Sequence, residues 1–154
     1  MEVSRGFFII KPDAFEYANE ILDIITKSPL KLDAAYDVIL PKKFIVEMYN
    51  DPENKFKMAA AEYNSEKHCI VGFVSGTDSP GELVKLCGAS FKSHLCAPGT
   101  IRYEFQVGGP IEVNGVMLER NAIHRSDAEE VAKDICLFNS YLGSGKFTFC
   151  QKIR

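Results

Sequence analysis

Between Leu32 and Pro41 the chain repeats with a period of two: Leu32, Ala34, Tyr36, Val38 and Leu40 alternate with Asp33, Ala35, Asp37 and Ile39. Successive strand side chains point to opposite faces, so this pattern predicts a half-buried strand that Pro41 ends. Further strands are expected in Phe7-Phe8-Ile9-Ile10, stopped by Pro12, in the apolar run Cys69 to Val74, which reads as a central strand, and in a last strand where Phe147, Phe149 and Gln151 alternate with Thr148, Cys150 and Lys152. Ala18, Ile21, Leu22 and Ile25 recur at helical spacing and predict an amphipathic helix over about residues 16 to 27. Residues 42 to 66 read as helix broken around Asn50-Asp51-Pro52. Two capping boxes, Ser79-Pro80-Gly81-Glu82 and Ser126-Asp127-Ala128-Glu129, predict helix starts, the second opening a helix through Leu137. Residues 88 to 110 are loop-rich, and Asn114-Gly115 between Ile111-Glu112-Val113 and Val116-Met117-Leu118 predicts a hairpin. The order β-α-β, helices, then β-α and β suits an α+β fold, a ferredoxin-like antiparallel sheet (βαββαβ) with helices on one face.

The length of 154 residues fits one domain, 1–154, and the 46% apolar content suffices for a packed core without staples. No apolar run approaches the roughly 20 residues needed to span a bilayer. Met1-Glu2-Val3-Ser4-Arg5 leads into an apolar segment too short for a signal peptide, so the start reads as mature protein. The odd set Cys69, Cys87, Cys96, Cys136 and Cys150 contains no Cys-x-x-Cys pair. That argues against a zinc cluster or a disulfide framework and for a reducing, cytoplasmic setting. A net charge of −3 will not draw nucleic acid to the surface as a whole, so an anionic ligand must be held by a local cluster of cations.

Such a cluster is suggested by Asn121-Ala122-Ile123-His124-Arg125-Ser126-Asp127, read with Ile10-Lys11-Pro12-Asp13-Ala14 and Pro98-Gly99-Thr100-Ile101-Arg102. Histidine can attack phosphorus and release it again near neutral pH, so the set points to phosphoryl transfer through a phosphohistidine. A lone histidine is usually structural, and His68 and His94, without such neighbours, are read that way. His124 is expected just before the helix that Ser126 caps, where free N–H groups and the macrodipole favour phosphate. Lys11 ends a buried strand, where a charge without a use is unusual. Arg102 follows a stiff turn and is able to grip phosphate oxygens bidentately, though a loop arginine is often only solvated. Tyr49 and Phe56 are core pieces, or else clamp a base or bond a catalytic histidine. Gly143-Ser144-Gly145-Lys146 fails the Walker pattern at Ser140 and Phe147 and reads as a turn.

Taken together, these residues resemble the nucleoside diphosphate kinase family over nearly the whole chain. Phe8 to Ala14 resembles the family's first strand and its Lys-Pro-Asp-Ala turn, residues 69 to 76 and 83 to 88 its central strand and next helix, and Ala97 to Arg102 its Ala-Pro-Gly-Thr-Ile-Arg. Asn121 to Asp127 is similar to Asn-x-x-His-Gly-Ser-Asp except at Arg125. The resemblance implies that His124 is the nucleophile, that Lys11 bonds sugar hydroxyl and phosphate oxygens, and that Tyr49 orients the histidine or phosphate. It implies that Phe56 stacks on the base, that Ser90 and Arg102 hold phosphates, and that Asn121 meets the ribose. Ser126 would bond a catalytic carboxylate, supplied by Asp134 in place of glutamate. It further implies Mg²⁺ carried by the nucleotide phosphates, nucleoside tri- and diphosphates as substrates, ping-pong kinetics, and a homo-oligomer, a hexamer or a tetramer built from dimers.

The departures are specific. The family's second phosphate arginine aligns with Val84, and Arg125 is expected to restore that cation. Ala60 replaces a larger apolar base contact, Phe15 to Asn19 lacks the usual Arg-Gly-Leu, and the Asn114-Gly115 hairpin lengthens the span from Arg102 to His124. Two other readings stay open: a nucleotide-binding regulator of the same fold that transfers no phosphate, and an RNA-binding ferredoxin-like module with Phe7, Phe8, Phe147 and Phe149 as stacking platforms. A required neutral His124 predicts activity falling below roughly pH 6.

Overall fold

The computed structural model describes residues 3–154; Met1 and Glu2, part of the segment read as a mature start, lie outside the described residues. Five strands form one sheet: β1 (Ser4–Ile10), β2 (Lys31–Ile39), β3 (His68–Gly76), β6 (Ile123–Arg125) and β7 (Cys150–Lys152). Their order is β6-β1-β3-β2-β7, and every pairing is antiparallel. Helix α1 (Ala18–Thr26) links β1 to β2, while α2 (Lys42–Tyr49) and α3 (Lys55–Asn64) link β2 to β3. After β3 come α4 (Ser79–Cys87), the short α5 (Ile101–Glu104), the hairpin β4 (Ile111–Val113) and β5 (Val116–Leu118), then β6, α6 (Val131–Gly143) and β7. The βαββαβ order and the sheet sequence are those of a ferredoxin-like fold, as the element pattern predicts.

The helices do not keep to one face, which corrects that expectation. Strand β1 is apolar on both sides. Phe8 and Ile10 pack with Ile21, Leu22 and Ile25 of α1 and Leu83 and Cys87 of α4. Phe7 and Ile9 point the other way, onto Phe44, Ile45 and Met48 of α2 and Ile135 and Phe138 of α6. A central strand covered twice has no polar face to alternate, which is why residues 7–10 read as a continuous apolar run. Gly72 on β3 lies directly under this strand, and a Cβ there would fall onto the Phe8 ring.

Local signals decide most boundaries. Asn50 ends α2 in the left-handed conformation (φ 50°), and the Asn54 side chain accepts the Phe56 and Lys57 N–H groups to start α3. Asn114 and Gly115 take φ values of 51° and 77°, the two positive values of a type I′ turn, so the expected hairpin forms. Three predicted starts move. Asp78, not Ser79, caps α4 by accepting the Gly81 N–H, while Ser79 donates its hydroxyl to Ser4 O. Ser126 caps nothing: a turn over residues 128–130 follows it, and α6 begins at Val131 and runs to Gly143, six residues beyond Leu137. The last strand is only Cys150–Lys152, because Phe147 is drawn into the core against Phe138, Phe44 and Tyr141, with ring centroids 5.1, 5.8 and 5.6 Å away.

Candidate active site

The edge strand β6 carries the centre of the site. Its register with β1 pairs Ile9 with His124, and the Lys11 N–H bonds Ala122 O at 2.9 Å, so the end of β1 and the residues before His124 are held side by side. Alternation sends Ile123 into the core and leaves His124 on the opposite side of the strand, beside Tyr49 at the end of α2. The two rings meet edge to face, with centroids 6.0 Å apart. His124 therefore sits on a strand, and not at the helix N-terminus that the capping reading predicted.

Charge converges on this point. Burial, and after it the neighbouring charges of Lys11, Arg102, Arg125 and Lys133, press the His124 pKa down from 6.5 to about 3. The ring is thus neutral throughout the physiological range. The Lys11 ammonium is lowered to about 7, chiefly by burial and then by Arg102, with Asp13 opposing. Burial lifts the Tyr49 phenol to about 12, so it stays protonated.

Ser126, two residues on, shares the histidine's side of the strand and donates its hydroxyl to Asp134 Oδ2 at 2.5 Å. Burial raises the Asp134 carboxyl above its ordinary value, with the bond from Ser126 opposing. Two buried polar atoms remain without hydrogen-bond partners here, His124 Nε2 and Asp134 Oδ1. Lys133 bonds Met48 O at 2.6 Å and approaches Asp134 Oδ1 to 3.7 Å.

Arg102 is buried, and its guanidinium is largely committed to main-chain carbonyls. Nε and Nη2 bond Ile123 O at 3.1 and 2.9 Å, and Nη1 bonds Gly88 O and Ser90 O at 3.2 and 3.0 Å. It ties β6 to the loop after α4. Of an arginine's five N–H groups, one on Nη2 is left over. Arg125 reaches the same loop, with Nη2 on Gly88 O at 3.2 Å and Ala89 O at 3.4 Å, while Nη1 pairs with Asp127 at 3.3 Å. Ser90 lies between them and accepts the Lys92 N–H on its hydroxyl. Val84 lies elsewhere, in a cleft lined by Pro80, Gly81 and Ala128.

Beside these groups opens a cavity of about 470 Å³ lined by Lys11, Tyr49, Phe56, Phe91, Met117 and Asn121, among others. Phe56, expected at a base, stands on its wall and is 53% exposed. Asn121 donates Nδ2 to Phe91 O at 3.0 Å, fixing the loop that carries Phe91, and its Oδ1 is buried and unpartnered. Sequence reasoning missed Phe91, Met117, Leu118 and Glu119 on this wall, and Lys133 beside His124. The hairpin signal at Asn114-Gly115 was legible; that the hairpin lands against α3 was not. Of the two histidines away from the site, His68 behaves as read: its Nδ1 is 2.7 Å from Asp37 and its ring packs on Phe149. Phe7 and Phe8 have no exposed surface, so they are not stacking platforms for RNA.

The nucleoside diphosphate kinase family model matches residues 4–140. The chain belongs to this family. A nucleoside diphosphate kinase from Methanoregula boonei is 30% identical over 133 residues, covering 84% of this chain and 82% of that protein. Among solved structures, the kinase of Aquifex aeolicus superposes with a TM-score of 0.75 at 26% identity, covering 89% of this chain and 95% of that one. A transition-state mimic of the Borrelia burgdorferi enzyme with bound vanadate and ADP superposes at 0.74, covering 88% and 86%; at 20% identity it speaks for the fold alone. Among the described residues no helix is long and apolar enough to cross a membrane.

Proposed function

We propose that this family member is an active nucleoside diphosphate kinase, a phosphotransferase that passes the γ-phosphate of a triphosphate such as ATP to diphosphates through a phosphohistidine at His124. The observation that carries this reading is a neutral imidazole in the field of Lys11, Arg102, Arg125 and Lys133, set in a small cleft that shares Lys11 and Tyr49 with a nucleotide-sized cavity. Nε2 is buried, so we assign the attack to Nδ1, with Nε2 keeping its proton toward Asp134. The Nδ1–P bond forms as the bond from γ-phosphorus to the bridging oxygen breaks, and the diphosphate leaves. A second diphosphate binds, and its terminal oxygen takes the phosphoryl group back. One site serving both half-reactions gives ping-pong kinetics.

The roles follow from position. Lys11 and the remaining Arg102 N–H neutralise charge on the transferring group, joined by Arg125 and Ser90 from the loop they brace. Tyr49 limits how the His124 ring can turn. Asp134, held by Ser126, would accept the ring's proton as a hydrogen bond once the ring is phosphorylated. Asn121 offers Oδ1 to a ribose hydroxyl, and Phe56 stacks on the base. Mg²⁺ would enter as part of the Mg–nucleotide substrate, carried by the phosphates it neutralises. We further place residues 1–154 as one domain, in a reducing cytoplasmic setting that its five free cysteines suit, assembled as a homo-oligomer of four or six chains.

Incubation with γ-labelled ATP and Mg²⁺ tests the core claim. Acid-labile, base-stable label is expected on the protein, absent in His124→Ala and discharged by added diphosphate. An unlabelled wild-type protein sinks the proposal. One observation favours the rival regulator, a nucleotide binder that transfers nothing: Arg102 gives four bonds to carbonyls, and Val84 supplies no second cation. Nucleotide binding without labelling would select it.

A further inference from the structure

The hairpin β4–β5 packs on α3 and closes one side of the nucleotide cavity with Met117, Leu118 and Glu119. Three large apolar side chains around this one space are more than half exposed: Phe56 at 53%, Phe91 at 61% and Met117 at 58%. Exposed apolar groups gathered at a cavity mark a ligand surface, and two of them are flat rings. They come from separate elements, α3, the loop after α4 and the hairpin, so the shape of the space depends on the fold. Its cationic end is Lys11, with His124 beyond; the apolar walls define the other end.

Glu119 is the only acidic residue in that lining, and it makes no ion pair among the described residues. Several of the other polar groups there are engaged. Asn54 caps α3, Lys57 pairs with Asp51 at 3.4 Å, and Asn121 holds Phe91 O. A free carboxylate repels phosphate, so its use within a nucleotide cavity lies away from the phosphates, at the end where Phe56, Phe91 and Met117 offer stacking surface to a base. An ionised carboxylate only accepts hydrogen bonds, and two parallel N–H groups suit it best.

The geometry points to Glu119 as a specificity residue that reads the edge of the nucleobase and favours guanine. Guanine offers a ring N–H beside an exocyclic amino group, a match for both carboxylate oxygens. Adenine and cytosine offer an amino group next to an unprotonated ring nitrogen. Uracil and thymine offer one N–H between two carbonyl oxygens, which the carboxylate repels. Stacking between Phe56, Phe91 and Met117 serves every base; Glu119 adds the discrimination. This rests on the kinase reading for its substrates.

The test compares kcat/KM for GDP, ADP, CDP, UDP and TDP with one common donor, in wild type and Glu119→Gln, alongside calorimetric binding of GDP and UDP. GDP is expected to exceed UDP by about tenfold or more, the scale of a charge-assisted hydrogen bond, carried mainly by KM. In Glu119→Gln the GDP to UDP ratio should shrink to within about threefold, because the amide supplies one acceptor and one donor. Equal values for all bases in the wild type overturn the inference. So does a Glu119→Gln loss that is the same for every base, which would put the carboxylate on the ribose. If no diphosphate is phosphorylated at all, the kinase reading fails, and the GDP to UDP binding ratio still decides the role of Glu119.

Discussion

His124 and Lys11 lose their charge for one shared reason: both are desolvated, and each lies within the field of Arg102. A group held near neutrality by missing water is recharged when an anion replaces that water. Lys11, lowered to about 7, is only partly protonated in the free protein at pH 7. Phosphate at its side should raise that value, so nucleotide binding at pH 7 is expected to be accompanied by proton uptake. Calorimetry in buffers of differing ionisation enthalpy reads this directly; proton release on binding would contradict it. The low value of His124 also revises the expected loss of activity below pH 6, which assumed an ordinary imidazole. The free ring stays neutral well below that pH. Arg125 braces the Gly88–Ala89 carbonyls and brings to the site a cation that Val84 does not supply. Replacing it, Arg125→Gly, should lower kcat/KM for phosphoryl transfer by about tenfold or more, the value of a lost charge-assisted contact, well beyond what any fall in melting temperature accounts for. Unchanged turnover would rule out its part in catalysis.

At the scale of elements, the pair β1–β3 is held at its centre by the Phe8 ring lying over Gly72. Overpacking this contact forces either the ring off its rotamer or the strands apart. Gly72→Ala should destabilise by about 2 kcal/mol, seen as a lower urea midpoint with an unchanged slope. The element-level signals that proved legible were local ones: Asn50 and Asn54 at the break between α2 and α3, and Asn114-Gly115 at the hairpin turn. Those that misled were local patterns overruled by packing. Ser126 has a capping sequence, but its hydroxyl is taken by the buried Asp134 carboxyl eight residues on. Phe147 has strand periodicity, but an aromatic cluster with Phe44, Phe138 and Tyr141 draws it inward. The three-residue strand β6 had no periodicity long enough to detect, and it carries the histidine.

For the whole molecule, stability should vary with pH in a way traceable to the site. The His124 pKa is lower folded than unfolded, so the unfolded chain binds the extra proton first. Its contribution is complete above about pH 6.5 and is lost as pH falls toward 3. Asp134, raised by burial, works in the opposite sense, so the histidine's part is isolated by comparison with a variant. Wild type should lose stability relative to His124→Gln between pH 6.5 and 4, measured by denaturant titration; parallel curves would show that the ring is not desolvated. The same burial that creates this acid sensitivity keeps the imidazole neutral at physiological pH. Family membership and the antiparallel sheet were readable from the chain, because short motifs and periodicities are local and survive divergence. The covering of both sheet faces was not, because a continuous apolar run looks the same whether one face or two are buried. Nor was the commitment of Arg102 to carbonyls, the unpartnered His124 Nε2 and Asp134 Oδ1, or the cavity wall that joins Phe56, Phe91 and Glu119. Each depends on which distant segments the packed sheet and helices bring within hydrogen-bond reach, and only tertiary structure sets those distances.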